Sequence, residues 1–168
     1  IGLDIDKFKR RIDIDWHKKL GIEDKKVLLY VGIQEKRRNP MFFVFVISKL
    51  PENYVLIMVG SGPDVSEVND HIEKLHLQKR CLQLGKLPQD QLPSLYEQSD
   101  LFLLASNYEI FGMVLLESMY FGLPVISTLT AGSDAIIKSG VDGIVIDNLN
   151  VEVWTTNIKK LVDNKFEL

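Results

Sequence analysis

Short, mostly apolar runs recur along the chain and alternate with segments that carry apolar residues at helical spacing. The runs are residues 27–31, 55–59, 81–84, 101–105, 125–127 and 144–146. Because most of them have apolar residues at consecutive positions, we expect strands that are buried on both faces. The alternation of such strands with helices indicates a mainly parallel sheet between two helical layers. The sequence therefore predicts a three-layer α/β domain.

The intervening segments predict the helices. Asp6 is a suitable N-cap and Gly21 a suitable C-terminal glycine, which predicts a first helix from about 6 to 20. The run 41–50 has strand propensity, but Asn39-Pro40 is typical of a helix start and parallel strands need a crossover, so we predict a helix. Further helices are predicted over 64–76, within 88–98, from near Gly112, from Ser133 or Asp134 through Lys138, and over 151–162.

The composition describes an ordinary globular protein. A length of 168 residues fits one domain, and 46% hydrophobic with 26% charged residues is a usual balance. The net charge of −3 argues against general nucleic-acid binding. The lone Cys81 excludes an internal disulfide and, with no signal-peptide or membrane-spanning pattern, favours a cytoplasmic location. The chain begins at Ile1 rather than methionine, so we expect a fragment or a processed product.

Several turn residues follow the predicted strands directly. Gly32, Gly60, Gly85 and the loop 106–111 each come after such a strand. In a parallel sheet these positions share the edge at the carboxyl ends of the strands, where ligands bind in folds of this kind. We therefore expect the functional site at that edge.

Residues 108–118 place two glutamates in an apolar setting. Glu109 and Glu117 have seven residues between them, with Phe111-Gly112 inside the interval and strand patterns on both sides. A loop is therefore expected to carry Glu109, and the helix that follows to carry Glu117. Two arbitrary glutamates would usually be solvated surface residues, but the glycine and the apolar helix between two strands favour a binding site.

A helix start near Gly112 explains what this site could bind. The amides of Gly112, Met113 and Val114 would have no partner within the helix, and these donors with the helix dipole favour a phosphate. Glu117 would lie roughly 7 Å further along the axis, about where the ribose of a nucleotide would fall. Its carboxylate can accept hydrogen bonds from both ribose hydroxyls, and Glu109 could accept them from a sugar beyond the phosphates.

This stretch resembles the signature of the family-four retaining glycosyltransferases, which have the GT-B fold. Other segments resemble motifs of that family in the same order and cover nearly the whole chain. They are Gly2-Leu3-Asp4 through Phe8, Tyr30-Val31-Gly32 with Arg38-Asn39-Pro40, Val59-Gly60-Ser61-Gly62-Pro63, Leu84-Gly85, Leu95-Tyr96 through Asp100 and Ser106, Gly122-Leu123-Pro124-Val125, and Gly140 with Gly143.

The resemblance implies that residues 1–168 are a Rossmann-like donor domain, the C-terminal half of a GT-B enzyme. It assigns Glu117 to the ribose, Glu109 to the donor sugar, and the Gly85-Lys86 loop to the base. It also implies hexosyl transfer with retention from a nucleotide sugar, most often a UDP-sugar, without a bound metal. The acceptor would be a glycan or a lipid-linked molecule, as in polysaccharide biosynthesis, and peripheral membrane association of the full-length protein stays open.

The acceptor-binding N-terminal half of such an enzyme precedes a start like Ile1. That half carries the histidine associated with the reaction centre, and His17, His71 and His76 match no catalytic position of the family. We therefore expect this chain to bind a donor nucleotide without transferring a sugar by itself.

The chain departs from the family pattern at two places. Ile33 stands where an arginine usually holds the diphosphate; Arg38 matches the second basic position, and Lys36 or Arg37 could supply the missing charge. The glycine-rich segment near the site reads Ala131-Gly132-Ser133-Asp134-Ala135, without the usual glutamate.

The sequence leaves three alternatives to compare with this interpretation. A dinucleotide-binding motif at Gly60-Ser61-Gly62 lacks its third glycine, because Val65 occupies that position, and lacks the ribose acid. A nucleotide-sugar epimerase of GT-B architecture ranks low because such enzymes do not typically carry both glutamates. A non-catalytic homologue that binds a nucleotide sugar or a partner stays open because of Ile33 and the altered glycine segment.

Overall fold

One parallel sheet organises the chain. The computed structural model describes residues 2–164, which contain six strands in the order β3-β2-β1-β4-β5-β6, all of them parallel to their neighbours. The strands are β1 Lys26–Val31, β2 Tyr54–Val59, β3 Cys81–Gly85, β4 Leu101–Leu104, β5 Val125–Thr128 and β6 Gly143–Ile146. The predicted parallel α/β sheet is confirmed, and the carboxyl ends of its strands share one edge.

Helices cover both faces of this sheet. They are α1 Trp16–Leu20, α2 Pro40–Lys49, α3 Val65–Lys74, α4 Leu92–Gln98, α5 Met113–Tyr120, α6 Ala131–Ile136 and α7 Val151–Asp163. One apolar core lies under α2, α3 and α7, and a second lies under α1, α4 and α5. Neighbouring strand residues such as Leu28 and Leu29 enter opposite cores, which explains why the strands are apolar at consecutive positions.

Helix α2 confirms the choice of helix over strand for the run after Pro40. Phe43, Val44, Val46 and Ile47 are fully buried, whereas Phe45 on the opposite side is 40% exposed, so α2 buries a broad face. The ring of Phe43 lies 5.8 Å from that of Trp154 on α7. Burial of this kind accounts for an apolar run without amphipathic spacing.

The predicted helix over 6–20 was wrong. Residues Ile5–Phe8 form a single 3₁₀ turn, and α1 begins only at Trp16, where the carboxylate of Asp15 accepts a hydrogen bond from the Lys18 amide at 3.1 Å. The segment between them runs along α4 and the 3₁₀ turn Gln89–Gln91 before it, where the Ile12 amide donates to the Asp90 carbonyl at 2.8 Å. The predicted C-terminal glycine is confirmed, because Gly21 is left-handed with φ 66°.

The limits predicted for α6 were also wrong. Its N-cap is Thr130, which forms a capping box with Ser133, so neither Ser133 nor Asp134 begins the helix. The helix ends at Ile136, because Ile137 is already extended rather than helical. Capping boxes usually carry Glu or Gln at this third helical position, so the Thr-x-x-Ser spacing did not mark the helix start in the sequence.

Within residues 2–164, no helix has both the length and the apolar character that crossing a bilayer requires.

Candidate functional site

Three loops meet at the carboxyl edge of the sheet, as predicted. The Gly32 amide donates to the Val59 carbonyl at 2.9 Å, and the Gly60 amide donates to the Gly85 carbonyl at 2.8 Å. A Cβ atom at Gly60 would lie 1.9 Å from the Gly32 carbonyl oxygen, so only glycine allows this approach. The loops after β1, β2 and β3 therefore form one continuous surface.

Gln34 holds these loops together and was not identified from the sequence. It is fully buried, and its side-chain amide pairs with that of Gln83 through hydrogen bonds of 2.7 and 2.9 Å. Its backbone amide donates to the Ser61 carbonyl at 2.8 Å, and its carbonyl accepts from the Asp64 amide at 3.0 Å. The polar Gln83 within the otherwise apolar run 81–84 was the signal that could have indicated such a pair.

Asn39 joins the loop after β1 to the loop after β4. It occupies the N-cap position of α2, but its backbone is left-handed and its side chain makes no cap hydrogen bond. The side-chain amide donates instead to the Ala105 carbonyl at 2.6 Å and to Asn107 Oδ1 at 2.8 Å. The basic segment before Asn39 is thereby placed beside the loop that carries Glu109.

Arg38 and Glu109 face each other across this junction. Nη2 of Arg38 lies 3.4 Å from Oε2 of Glu109, and each side chain is 16% exposed. Arg38 Nε and Glu109 Oε2 are buried without a hydrogen-bond partner. Burial without a partner is costly, so this pair is not fully satisfied, and the exposed part of each side chain could contact a bound ligand.

Two glycines place the Glu109 loop against α6. Gly112 is left-handed with φ 55°, and a Cβ there would lie 2.9 Å from Cδ1 of Ile136. Gly132 donates its amide to the Glu109 carbonyl at 2.8 Å, and a Cβ on Gly132 would lie 2.9 Å from the Gly112 amide nitrogen. Gly132 therefore has a steric role although the segment around it departs from the family pattern.

Helix α5 begins directly after this loop. Gly112 is its N-cap, and the first amide that bonds back to the Gly112 carbonyl belongs to Leu115, at 2.9 Å. The amides of Met113 and Val114 precede that first helical bond and have no partner within the helix. Together with the helix dipole, they make this end of α5 suitable for an anion.

Glu117 lies on the same helix but already has two partners. Its side chain is 13% exposed, and its carboxylate accepts a hydrogen bond from Nζ of Lys7 and another, at 3.1 Å, from the Tyr96 hydroxyl. Burial, followed by the Glu117 carboxylate, raises the pKa of Tyr96, so its hydroxyl remains a donor. The sequence placed Glu117 on a helix and gave no indication of either partner.

The remaining predicted site residues are bonded between loops or exposed at the surface. Nη1 of Arg37 donates to the Tyr108 carbonyl at 2.9 Å and its Nε to Glu35 at 3.0 Å, so its guanidinium ties two loops together. Lys86 is exposed after β3 and has no ion pair within residues 2–164. Ile33 is 52% exposed at the position where the family carries arginine.

The histidines and the acidic groups indicate no further centre. His17 has Nε2 at 2.8 Å from the Gln98 carbonyl, which is a structural contact beneath α1. Within the described part of the chain, no group of three or more His, Cys, Asp or Glu side chains could hold a metal ion.

Comparison with known proteins gives the family. The model of the family "Glycosyl transferases group 1" matches residues 13–168. The N-acetyl-alpha-D-glucosaminyl L-malate synthase of Bacillus anthracis is 35% identical over 133 residues, which are 77% of this chain and 34% of that enzyme. The UDP-Gal:alpha-D-GlcNAc-diphosphoundecaprenol alpha-1,3-galactosyltransferase of Escherichia coli is 27% identical and is matched over 98% of this chain and 44% of its own length.

Solved structures show the same fold. HepE of Anabaena in complex with UDP-glucose superposes with a TM-score of 0.88 at 22% identity, over 99% of this chain and 47% of that one. WaaG, a glycosyltransferase involved in lipopolysaccharide biosynthesis, gives 0.81 at 26% identity, over 96% and 46%. This chain thus spans less than half the length of these proteins. Since the family model matches nearly all of the chain, the chain belongs to the glycosyl transferases group 1 family.

Proposed function

We propose that this chain is the donor-binding domain of a glycosyltransferase and binds a nucleotide-diphosphate sugar, with UDP as the nucleotide. The carrying observation is the partly buried pair of Arg38 and Glu109, with atoms lacking hydrogen-bond partners, beside the free amides that begin α5. Membership of the family, the UDP-glucose complex of HepE and the UDP-galactose donor in the name of the E. coli relative support this choice.

The site residues divide the donor between them. The amides of Gly112, Met113 and Val114 and the guanidinium of Arg38 bind the diphosphate and stabilise the charge that develops on it as the sugar leaves. Glu109 accepts hydrogen bonds from the donor sugar. No metal ligand is required in this scheme, because amides and a basic side chain provide the positive potential.

The remaining parts of the nucleotide fall to two other places at the same edge. Glu117 binds the ribose. Gly85 and Lys86 line the base, with Lys86 in reach of polar groups on it, and Arg37 keeps the loop after β1 against the loop after β4.

The acceptor belongs to a part of the enzyme outside this chain. The relatives are more than twice as long as the segment they share with it, so we propose an acceptor-binding N-terminal half. Transfer of a hexose with retention to a glycan or lipid-linked acceptor then takes place between the two halves.

A thermal-shift panel with UDP, GDP, ADP and their sugars tests the proposal. A ligand at 100 times its dissociation constant stabilises a protein by about 2.7 kcal/mol, which raises the melting temperature of a chain of this size by roughly 5–11 °C. UDP and UDP-sugars are expected to give the largest shifts. Glu117→Ala should reduce the shift, whereas Glu73→Ala, an exposed position on α3, should not.

If no nucleotide stabilises the wild-type chain, the proposed function is wrong. An undiminished shift in Glu117→Ala would instead move the nucleotide to another part of the surface. A larger shift with GDP or ADP than with UDP would keep the donor site and change the base.

Ile33 favours one second candidate, a homologue that binds a nucleotide sugar without transferring it. Its exposed apolar side chain stands where an arginine would hold the diphosphate, so this region has one cation fewer. Lys36 nearby is exposed and has no ion pair within residues 2–164, so it is not held in the place of that arginine. Kinetics of the full-length protein separate the two functions. A transferase loses turnover in Glu109→Ala, whereas a binding homologue shows no turnover in either form.

A further inference from the structure

The carboxylate of Glu117 is held by two elements that are distant from it in the chain. Lys7, which lies 110 residues earlier, donates to Oε1, and Tyr96 on α4 donates to Oε2 at 3.1 Å. The pair with Lys7 is partly buried, at 29% and 13% side-chain exposure, so it is less screened than a surface ion pair. Both oxygens of Glu117 are therefore fixed in direction before any ligand binds.

An aromatic cluster holds Lys7 and Tyr96, the two hydrogen-bond donors to Glu117, in place. The buried ring of Phe8, next to Lys7, packs edge-on against Phe121 at 5.0 Å and stacks on Tyr120 at 5.8 Å. Phe121 in turn stacks on Tyr96 at 5.5 Å with an interplanar angle of 7°. The 3₁₀ turn that carries Lys7 is thus anchored to the same rings that position the Tyr96 hydroxyl.

This arrangement leaves room for two further hydrogen bonds. A carboxylate has about four acceptor positions, two on each oxygen. Lys7 and Tyr96 occupy one position on each oxygen, so one on each remains for the two hydroxyls of a ribose. Binding of a ribose to a carboxylate that is already fixed costs less free energy than binding to a mobile glutamate, because the side chain does not have to be ordered first.

We propose that Lys7 is a positioning residue for nucleotide binding, which holds Glu117 in the orientation that receives both ribose hydroxyls. This inference rests on the proposed function. It extends the donor site to the segment 2–8, whose resemblance to a family motif has otherwise no role here. Tyr96 has the same role from the other side of the carboxylate.

Discrimination between ribose and deoxyribose is the property that tests the proposal. A site that binds a hydroxyl through a buried polar group rejects the analogue that lacks it. The ratio of the affinities for UDP and 2′-deoxy-UDP, measured by calorimetry on the 168-residue chain, therefore reports on the orientation of Glu117. Lys7→Met keeps the length and apolar stem of the side chain while removing its donor.

In Lys7→Met, we expect UDP to bind about tenfold more weakly and the preference for UDP over 2′-deoxy-UDP to fall towards that of Glu117→Ala. Lys7→Arg should restore most of both. The control is Lys9→Met in the same segment, which should behave as wild type because Lys9 pairs, among the described residues, only with Asp6 at the surface. Tyr96→Phe keeps the stacked ring, removes the hydroxyl, and should also lower the preference.

The proposal is overturned if Lys7→Met keeps the wild-type preference for UDP over 2′-deoxy-UDP. That result includes the case in which both affinities fall by the same factor, as expected of a residue that only supports the fold. Melting temperatures without ligand separate a folding defect from a binding defect, and Tyr96→Phe carries the test if Lys7→Met does not fold. Failure of the donor site itself is distinguishable, because Glu117→Ala would then leave the wild-type preference unchanged.

Discussion

The two glutamates of the site differ in what surrounds them. Glu109 faces Arg38 at 3.4 Å, and that pair retains atoms without hydrogen-bond partners. Glu117 is bound by Lys7 and Tyr96 on separate oxygens. We infer that Glu117 is preorganised for its ligand. Arg38 and Glu109, in contrast, complete their hydrogen bonds only when a nucleotide sugar is bound.

Arg38→Gln is expected to weaken UDP binding about tenfold to a hundredfold while leaving uridine binding unchanged. The lost guanidinium is a charged donor to the diphosphate, and its removal leaves Glu109 to repel that anion. Isothermal titration of the two ligands measures both effects. Arg10→Gln, at an exposed position, is the control. Equal losses for uridine and UDP would place Arg38 outside the diphosphate site.

Gly132→Ala is expected to destabilise the chain by about 1–3 kcal/mol and to weaken UDP binding. The added methyl group would lie 2.9 Å from the Gly112 amide nitrogen and 3.1 Å from the Glu109 carbonyl, so the loop before α5 must move. Thermal unfolding with and without UDP measures both. Gly2→Ala, where a Cβ meets nothing within 4 Å, should change neither. A wild-type melting curve for Gly132→Ala would show that the loop yields freely.

The acidic and basic residues of the site could be selected from the sequence, but their partners could not. Glu109, Glu117 and Arg38 stand out because each occupies a recognisable spacing near a glycine or a proline. Lys7 and Tyr96 are joined to Glu117 by packing between remote segments. No local pattern at residue 7 indicates a partner 110 positions away.

Among the elements, the strands were the most predictable and the first helix the least. A strand that is buried on both faces carries apolar residues at nearly every position. The apolar runs therefore located all six strands that residues 2–164 contain. The segment before α1 is different, because its backbone bonds to α4 and to the turn before α4: Gln98 Nε2 donates to the Ile14 carbonyl at 2.7 Å, and the Ile12 amide donates to the Asp90 carbonyl. Helix spacing cannot reveal hydrogen bonds of that kind.

Asp15→Ala should cost about 1 kcal/mol of unfolding free energy, whereas Asp6→Ala should cost close to none. The carboxylate of Asp15 caps α1 through the Lys18 amide. Within residues 2–164, the carboxylate of Asp6 makes only an exposed ion pair with Lys9, and such pairs contribute little. Denaturant titrations of the two variants compare them directly. A larger loss in Asp6→Ala would restore the helix that the sequence predicted over 6–20.

At the scale of the whole molecule, the proposed donor site lies along one edge of the sheet. All described strands end at this edge, and the loops after β1 to β4 are joined there by direct hydrogen bonds. Such joined loops make the edge a rigid surface on which a nucleotide can bind. We therefore expect that this chain can bind a nucleotide sugar even where no sugar is transferred.

The isolated chain is expected to bind UDP-sugar without transferring the sugar. Transfer requires an acceptor held against the donor, and we place that function in the N-terminal half outside this chain. Release of UDP, followed with a coupled assay at saturating UDP-sugar, measures it, and the full-length protein is the positive control. Turnover by residues 1–168 at a rate comparable to the full-length protein would show that both substrates bind here.

The position of Lys7 changes where this domain should be considered to begin. The family match starts at residue 13, and the sheet starts at Lys26, so a shortened chain that begins at either point retains every strand and the whole of α5. It would nevertheless lack Lys7 and the aromatic anchor Phe8. The carboxylate of Glu117 would then accept a hydrogen bond from Tyr96 alone of these two partners. A boundary drawn around the strands is thus narrower than one drawn around the proposed nucleotide site, and expression limits chosen from the strands alone would remove Lys7.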